Sequence, residues 1–112
     1  MRKNDTIYID HIKNSLIKIK KYLQDKTRED FLDNDQTQDA VIRQLEIIGE
    51  ASKQLSKEFR DNHPDIPWTD MAGMRNKLIH NYIDVDLDIV WNTAHDDVPI
   101  LLGKINKLNY LY

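Results

Sequence analysis

Apolar residues at Ile9, Ile12, Leu16, Ile19 and Leu23 recur at the three-then-four spacing of a helix with one buried stripe, which predicts a first helix from about Asp5 to Gln24. Its opposite side carries Lys13, Lys18, Lys20 and Lys21, either a solvated face or a positive strip that guides a polyanion. Residues 25–36 are rich in charge and turn formers, with Phe31 and Leu32 as the apolar anchor, and read as a loop with one helical turn. Thr37 then stands as a helix cap, with Asp39 in the first turn where the macrodipole favours an acid. The stripe of Val41, Leu45, Ile48, Ser52, Leu55 and Phe59, widened by Ile42 and Gly49, predicts a second helix running to about Arg60. A mid-helix glycine costs ~1 kcal/mol relative to alanine, so Gly49 predicts a close crossing with another backbone. Arg43, Glu46 and Glu50 have the spacing of surface charge pairs and are read as structural.

Pro64 and Pro67 end helical continuity, because each removes a donor and restricts the residue before it. A third, shorter helix is expected to begin between Asp65 and Thr69 and to carry Trp68, Met71, Ala72 and Met74 toward Arg75 and His80, with Trp68, Leu78 and Ile79 in the core. Asp84, Asp86 and Asp88 open like a calcium loop. The sixth position is Ile89 instead of glycine and the twelfth is His95 instead of glutamate, so these acids serve better as caps for the last helix. That helix is expected from about Asp86 to Leu108, with a kink near His95 to Pro99 where proline breaks the hydrogen-bond ladder. Four main helices with one stripe each predict an all-α protein, an up-and-down antiparallel bundle.

Composition narrows the chemistry. With 112 residues and 40% hydrophobic content, residues 1–112 are expected to form one domain that buries somewhat over ~60% of its unfolded surface. There are no cysteines, hence no disulfide or thiolate site, in keeping with a reducing cytoplasm. The polar start Met1-Arg2-Lys3-Asn4-Asp5 and the lack of a long apolar run point to a cytoplasmic chain without signal peptide or membrane span. His11, His63 and His95 show no paired ligand spacing, so neither a metal nor another cofactor is expected. The net charge of −3 argues against nonspecific coating of nucleic acid, which leaves only local contacts to a polyanion.

The chemically dense stretch is Gly73-Met74-Arg75-Asn76-Lys77-Leu78-Ile79-His80-Asn81-Tyr82. Arg75 offers a permanent charge and a planar fork of donors suited to phosphate, and histidine is the side chain that moves protons near neutrality. At about 100° per residue, Tyr82 would lie roughly −20° from Arg75 and His80 roughly 140° away. Arginine and tyrosine would share a face, and His80 joins them only if the helix ends or bends near residue 80. The plainer reading takes the three as surface charge, partial core and snorkelling aromatic.

Arg75, four residues, His80, one residue and Tyr82 reproduce the RX4HXY motif, and on these residues the chain resembles the HepT-like toxins of the HEPN superfamily. The likeness extends, in the same order, over Leu45 to Ala51, His63 to Trp68, Gly73 to Asn76 and Asp86 to Trp91. Asn76 matches the polar residue that commonly follows the motif arginine. The resemblance implies a helical HEPN fold, a two-fold homodimer with the motifs lining a shared groove, and ribonuclease activity. It also implies that Tyr82 is adenylylated by a cognate minimal nucleotidyltransferase antitoxin of the MntA type.

Glycine-rich phosphate loops, nucleophilic cysteines and paired-carboxylate metal motifs are absent from the sequence, which leaves metal-independent RNA cleavage as the reaction for these residues. His80 would transfer protons, Arg75 would stabilise the charged phosphate and Asn76 would orient either group or the RNA. One chain supplies one motif histidine, and a dimer would supply both a base and an acid. Two other readings stand beside this one: a non-catalytic helical module that partners a nucleotidyltransferase, and a bundle whose motif only supports dimerisation.

Overall fold

The stripe of the first helix is buried as its spacing requires. The computed structural model describes residues 3–81 and 84–108, with side chains at 4–78 and 84–108. Helix α1 (Lys3–Leu23) buries Ile9, Ile12, Leu16 and Ile19 completely against α3 (Asp35–Gln54), whose Val41, Leu45 and Ile48 are equally inaccessible. Asp5 in the first turn of α1 touches Ser56 just past the end of α3, so the two helices run antiparallel. Lys18, Lys20 and Lys21 of the lysine strip are exposed.

Between them lies α2 (Arg28–Leu32), the expected single helical turn. A capping box starts it: the Thr27 backbone N–H donates to Asp30 Oδ2 at 2.9 Å, and the Asp30 N–H donates to Thr27 Oγ1 at 3.1 Å. Hydrogen bonds from the Thr27 backbone and then its side chain hold the Asp30 carboxyl below the usual carboxylate range. Phe31 is fully buried and packs its ring on Trp91, with centroids 5.6 Å apart.

Both expected ends of the second helix need correction. The cap is Asn34 and not Thr37; Asn34 accepts a hydrogen bond from the Thr37 N–H at 2.9 Å, one turn earlier than the spacing suggested. The helix also stops at Gln54 and does not reach Arg60. Leu55 is extended, and Ser56 caps a separate helix α4 (Lys57–Asn62) by accepting from the Phe59 N–H at 3.1 Å. The cause is long-range: Asp5, only 2% exposed, accepts from the Ser56 N–H at 2.8 Å and from its hydroxyl at 2.7 Å. Phe59 is buried all the same, from the new helix.

Gly49 marks the expected crossing. A Cβ there would meet the carbonyl oxygens of Met71 at 3.3 Å and Ala72 at 3.6 Å, both in α5 (Trp68–Ala72). The third helix is two short helices, α5 and α6 (Met74–Leu78), joined at Gly73, and it ends before His80. Ile79–Asn81 form a strand, β1, that pairs antiparallel with β2 (Asp84–Val85), and the Asp86 N–H donates to Leu78 O at 3.0 Å. β-branched Ile79 and Val85 suit this extended pairing. The reversal places Asp86 to cap α7 (Leu87–Asn92) through the Ile89 N–H at 3.1 Å, the role expected of this acidic run. Helix dominates, consistent with the expected all-α fold, and the two short strands are a local feature between α6 and α7.

The last expected helix is interrupted where the kink was placed. A π-helical turn at Thr93–Asp97 separates α7 from α8 (Val98–Asn106), and Pro99 falls in the first turn of α8, where its missing N–H removes no bond within α8. Trp68 and Leu78 lie in the core as predicted, while the Ile79 side chain is outside the described residues. Among the described residues no helix is long and apolar enough to cross a membrane.

Candidate active site

Arg75 sits on α6 between two buried neighbours, Met74 and Leu78, which fix the short helix on the core and leave the arginine side chain 48% exposed. Because Gly49 has no Cβ, the α5–Gly73–α6 backbone lies against α3, and the Arg75 nitrogen would be 4.0 Å from a Cβ at that position. Glu46, three residues before Gly49 and therefore on the same face of α3, reaches across the crossing. Its Oε2 stands 3.5 Å from Arg75 Nε. The carboxylate takes the Nε edge of the guanidinium, which steers the fork without burying it.

By charge spacing alone Glu46 reads as a structural surface charge. A signal was present: a residue three before the crossing glycine faces whatever crosses there. Asn76 and Lys77 are exposed on the same short helix. The His80 backbone lies in β1, past the end of α6, so the helix does stop where His80 requires it to stop if it is to join Arg75. The His80 side chain is outside the described residues, and so is Tyr82 altogether. Tyr82 would share the arginine face only on a helix running through residue 82, and α6 ends at Leu78.

Arg75 stands at a surface groove of about 390 Å³ that runs between α1 and α3 and is lined by Tyr8, His11, Arg43, Glu46, Ile47, Glu50, Ala51 and Gln54 as well. Its charge is mixed, with Glu50 paired to Lys53 at 3.2 Å. A second cavity, about 230 Å³, opens between α5, α6 and α8 near Met74, Lys77 and Ile100, away from Arg75. The other described histidines have aromatic neighbours: His63 packs on Phe59 with centroids 4.6 Å apart, and His95 stacks on Trp91 at 4.9 Å with its Nδ1 2.8 Å from Asp96. Among the described residues no three His, Asp or Glu side chains converge as a metal site.

The model of a family described as "Ribonuclease HepT-like" matches residues 12–108. A Thermococcus cleftensis protein named "Probable ribonuclease HepT" is 45% identical over 108 residues, covering 96% of this chain and 98% of the relative. A Methanocaldococcus jannaschii protein named "Gamma-glutamylcyclotransferase and putative RNase" is 46% identical over 108 residues, 96% of this chain but 49% of that longer protein. A Caldanaerobacter subterraneus protein named "Putative RNase" is 39% identical over 101 residues, 90% of each chain. No solved structure matches. Matched by the family's model over residues 12–108 and similar to these relatives nearly end to end, the chain belongs to the HepT-like ribonuclease family.

Proposed function

We propose that the protein is a metal-independent endoribonuclease that acts as the toxin of a toxin-antitoxin pair. The observation that carries the reading is Arg75, half exposed at an open groove and steered by Glu46, with the chain leaving the helix just before His80. The RNA supplies its own nucleophile. A base removes the proton of a 2′-hydroxyl, the oxygen attacks the adjacent phosphorus, the bond to the 5′-oxygen breaks, and an acid protonates that leaving oxygen. The products are a 2′,3′-cyclic phosphate and a 5′-hydroxyl.

His80 moves the protons, Arg75 stabilises the negative charge that builds on the phosphate, and Asn76 orients one of them or the RNA. A two-fold dimer places two copies of the motif on one substrate, so that one His80 acts as base and its mate as acid. Tyr82, whose phenol of pKa about 10 makes a poor base at neutrality, is the point of control. Adenylylation there by a minimal nucleotidyltransferase antitoxin adds a phosphodiester that competes with RNA phosphate for Arg75.

The test is cleavage of total cellular RNA, with chelator present, by wild type and His80→Ala. Wild type should yield cyclic phosphate ends, and the variant should be slower by about 10²–10⁴-fold. Equal cleavage by two folded dimers would reject the assignment of His80. DNA, which lacks the 2′-hydroxyl, should resist.

A further inference from the structure

We propose that the groove between α1 and α3 is a nucleobase subsite beside Arg75, with Tyr8 and His11 forming the corner that receives the ring. The inference rests on the ribonuclease reading above and specifies where a nucleotide next to the scissile phosphate binds. Tyr8 and His11 stand one turn apart on α1, their ring centroids 6.3 Å apart and their planes at 82°. Two perpendicular rings make an L-shaped corner. A third flat ring laid face-on against one meets the other edge-on, and both arrangements are favourable for aromatic pairs. Tyrosine and histidine are among the side chains on which unpaired RNA bases stack.

The opposite wall decides between a base and a phosphate as occupant. Arg43, Ile47 and Glu50 share a face of α3 at helical spacing, with Glu46 beside them. Glu46 and Glu50 are paired to Arg75 and Lys53 and still leave carboxylate oxygens along the groove, acceptors that a donor-bearing base can use and a phosphate cannot. They accept hydrogen bonds from the amino edge of an unstacked base, and Ile47 offers that base an apolar surface. The phosphates have cations nearby: Arg75 for the scissile group, and Arg43, one turn before Glu46 on α3, for the next. The groove volume of about 390 Å³ suits one small planar ligand, within the range of about 300–1,000 Å³ usual for such sites. Adenine, guanine and cytosine carry an exocyclic amine and uracil does not, so the subsite favours the first three.

The experiment measures binding of a labelled single-stranded RNA to the full chain carrying His80→Ala, alone and combined with Tyr8→Ala, Tyr8→Trp or His11→Ala, at one salt concentration. His11 is exposed and its replacement leaves the core intact; Tyr8→Trp keeps a ring where Tyr8→Ala removes it. Each alanine change should weaken binding by about tenfold, while tryptophan retains it. His11→Ala in the active protein should raise KM with little change in kcat and reduce the preference for amino-bearing bases. Unchanged binding in both alanine variants overturns the subsite. So does a loss of dimer mass in sedimentation with RNA affinity per dimer preserved, which would make the groove a contact between two copies. If wild type binds RNA with these dependences and does not cleave, the ribonuclease reading fails and the subsite stands; His80-dependent cleavage indifferent to Tyr8 and His11 is the reverse.

Discussion

Helix α3 has two sides that answer to different demands. One side, Val41, Leu45, Ile48 and Ser52, is sealed against α1 and the rest of the core, with exposures of 0% to 1%. The other, Arg43, Glu46, Ile47 and Glu50, borders an open groove and reaches Arg75. Gly49 sits at the crossing and serves both, since the backbone it admits is the one that carries Arg75. The contrast teaches that the helix holding the fold together also positions the Arg75 guanidinium, through a partly exposed side chain on its open side.

Three substitutions sharpen the contrast. On the sealed side, Ile48→Ala deletes a fully buried side chain and should cost about 2–5 kcal/mol in denaturant unfolding, the usual range when a buried aliphatic leaves a cavity. A loss well under 1 kcal/mol would mean that the core around Ile48 is loosely packed. On the open side, Glu46→Gln should change stability little, because the pair with Arg75 is partly exposed and screened. Its effect should appear in RNA cleavage, slower by up to about fivefold, the rate equivalent of the roughly 1 kcal/mol such a pair contributes. If both measurements stay at wild-type values, Glu46 does not position Arg75.

The smallest effect lies away from both sides, in the exposed capping box of α2. Because the folded state lowers the Asp30 pKa, its ionised form favours folding above the ordinary value of 3.8, and that contribution disappears as pH falls through the lowered folded value. Thermal melting of wild type should therefore exceed that of Asp30→Ala slightly at neutral pH, and the gap should close on acidification through that window. A gap independent of pH would assign the cap to helix propensity alone.

Much of this architecture is legible from local rules. The stripe of α1, the buried positions of α3, the turn at Phe31, the break at Pro64 and Pro67, the acidic cap before α7 and the irregularity ahead of Pro99 all follow from spacing and backbone chemistry within a few residues. Gly49 went further, since its cost predicted a crossing that the structure contains. At the candidate site, Arg75, Asn76 and His80 are legible from the motif and Glu46 only through its spacing from Gly49, while nothing in the sequence joins Tyr8 and His11 to them. Tyr8, His11 and Glu46 come from α1 and α3 and share a groove with Arg75 only after the helices pack.

Two helices end earlier than helical spacing alone requires, one through a distant contact and one through a nearby strand pairing. The stripe alone would carry α3 on to Phe59 at Arg60's doorstep, but the carboxylate of Asp5, brought from the other end of α1, binds both the N–H and the hydroxyl of Ser56 and ends the helix there. Helical spacing would carry α6 through His80, but Ile79–Asn81 pair with Asp84–Val85 instead. The sequence by itself determined which residues are apolar, where prolines and caps punctuate the chain, and which motif it contains. Tertiary structure decided where α3 ends and which charges meet, because Asp5 and Ser56, like Glu46 and Arg75, are distant in sequence and come together only once the core has formed.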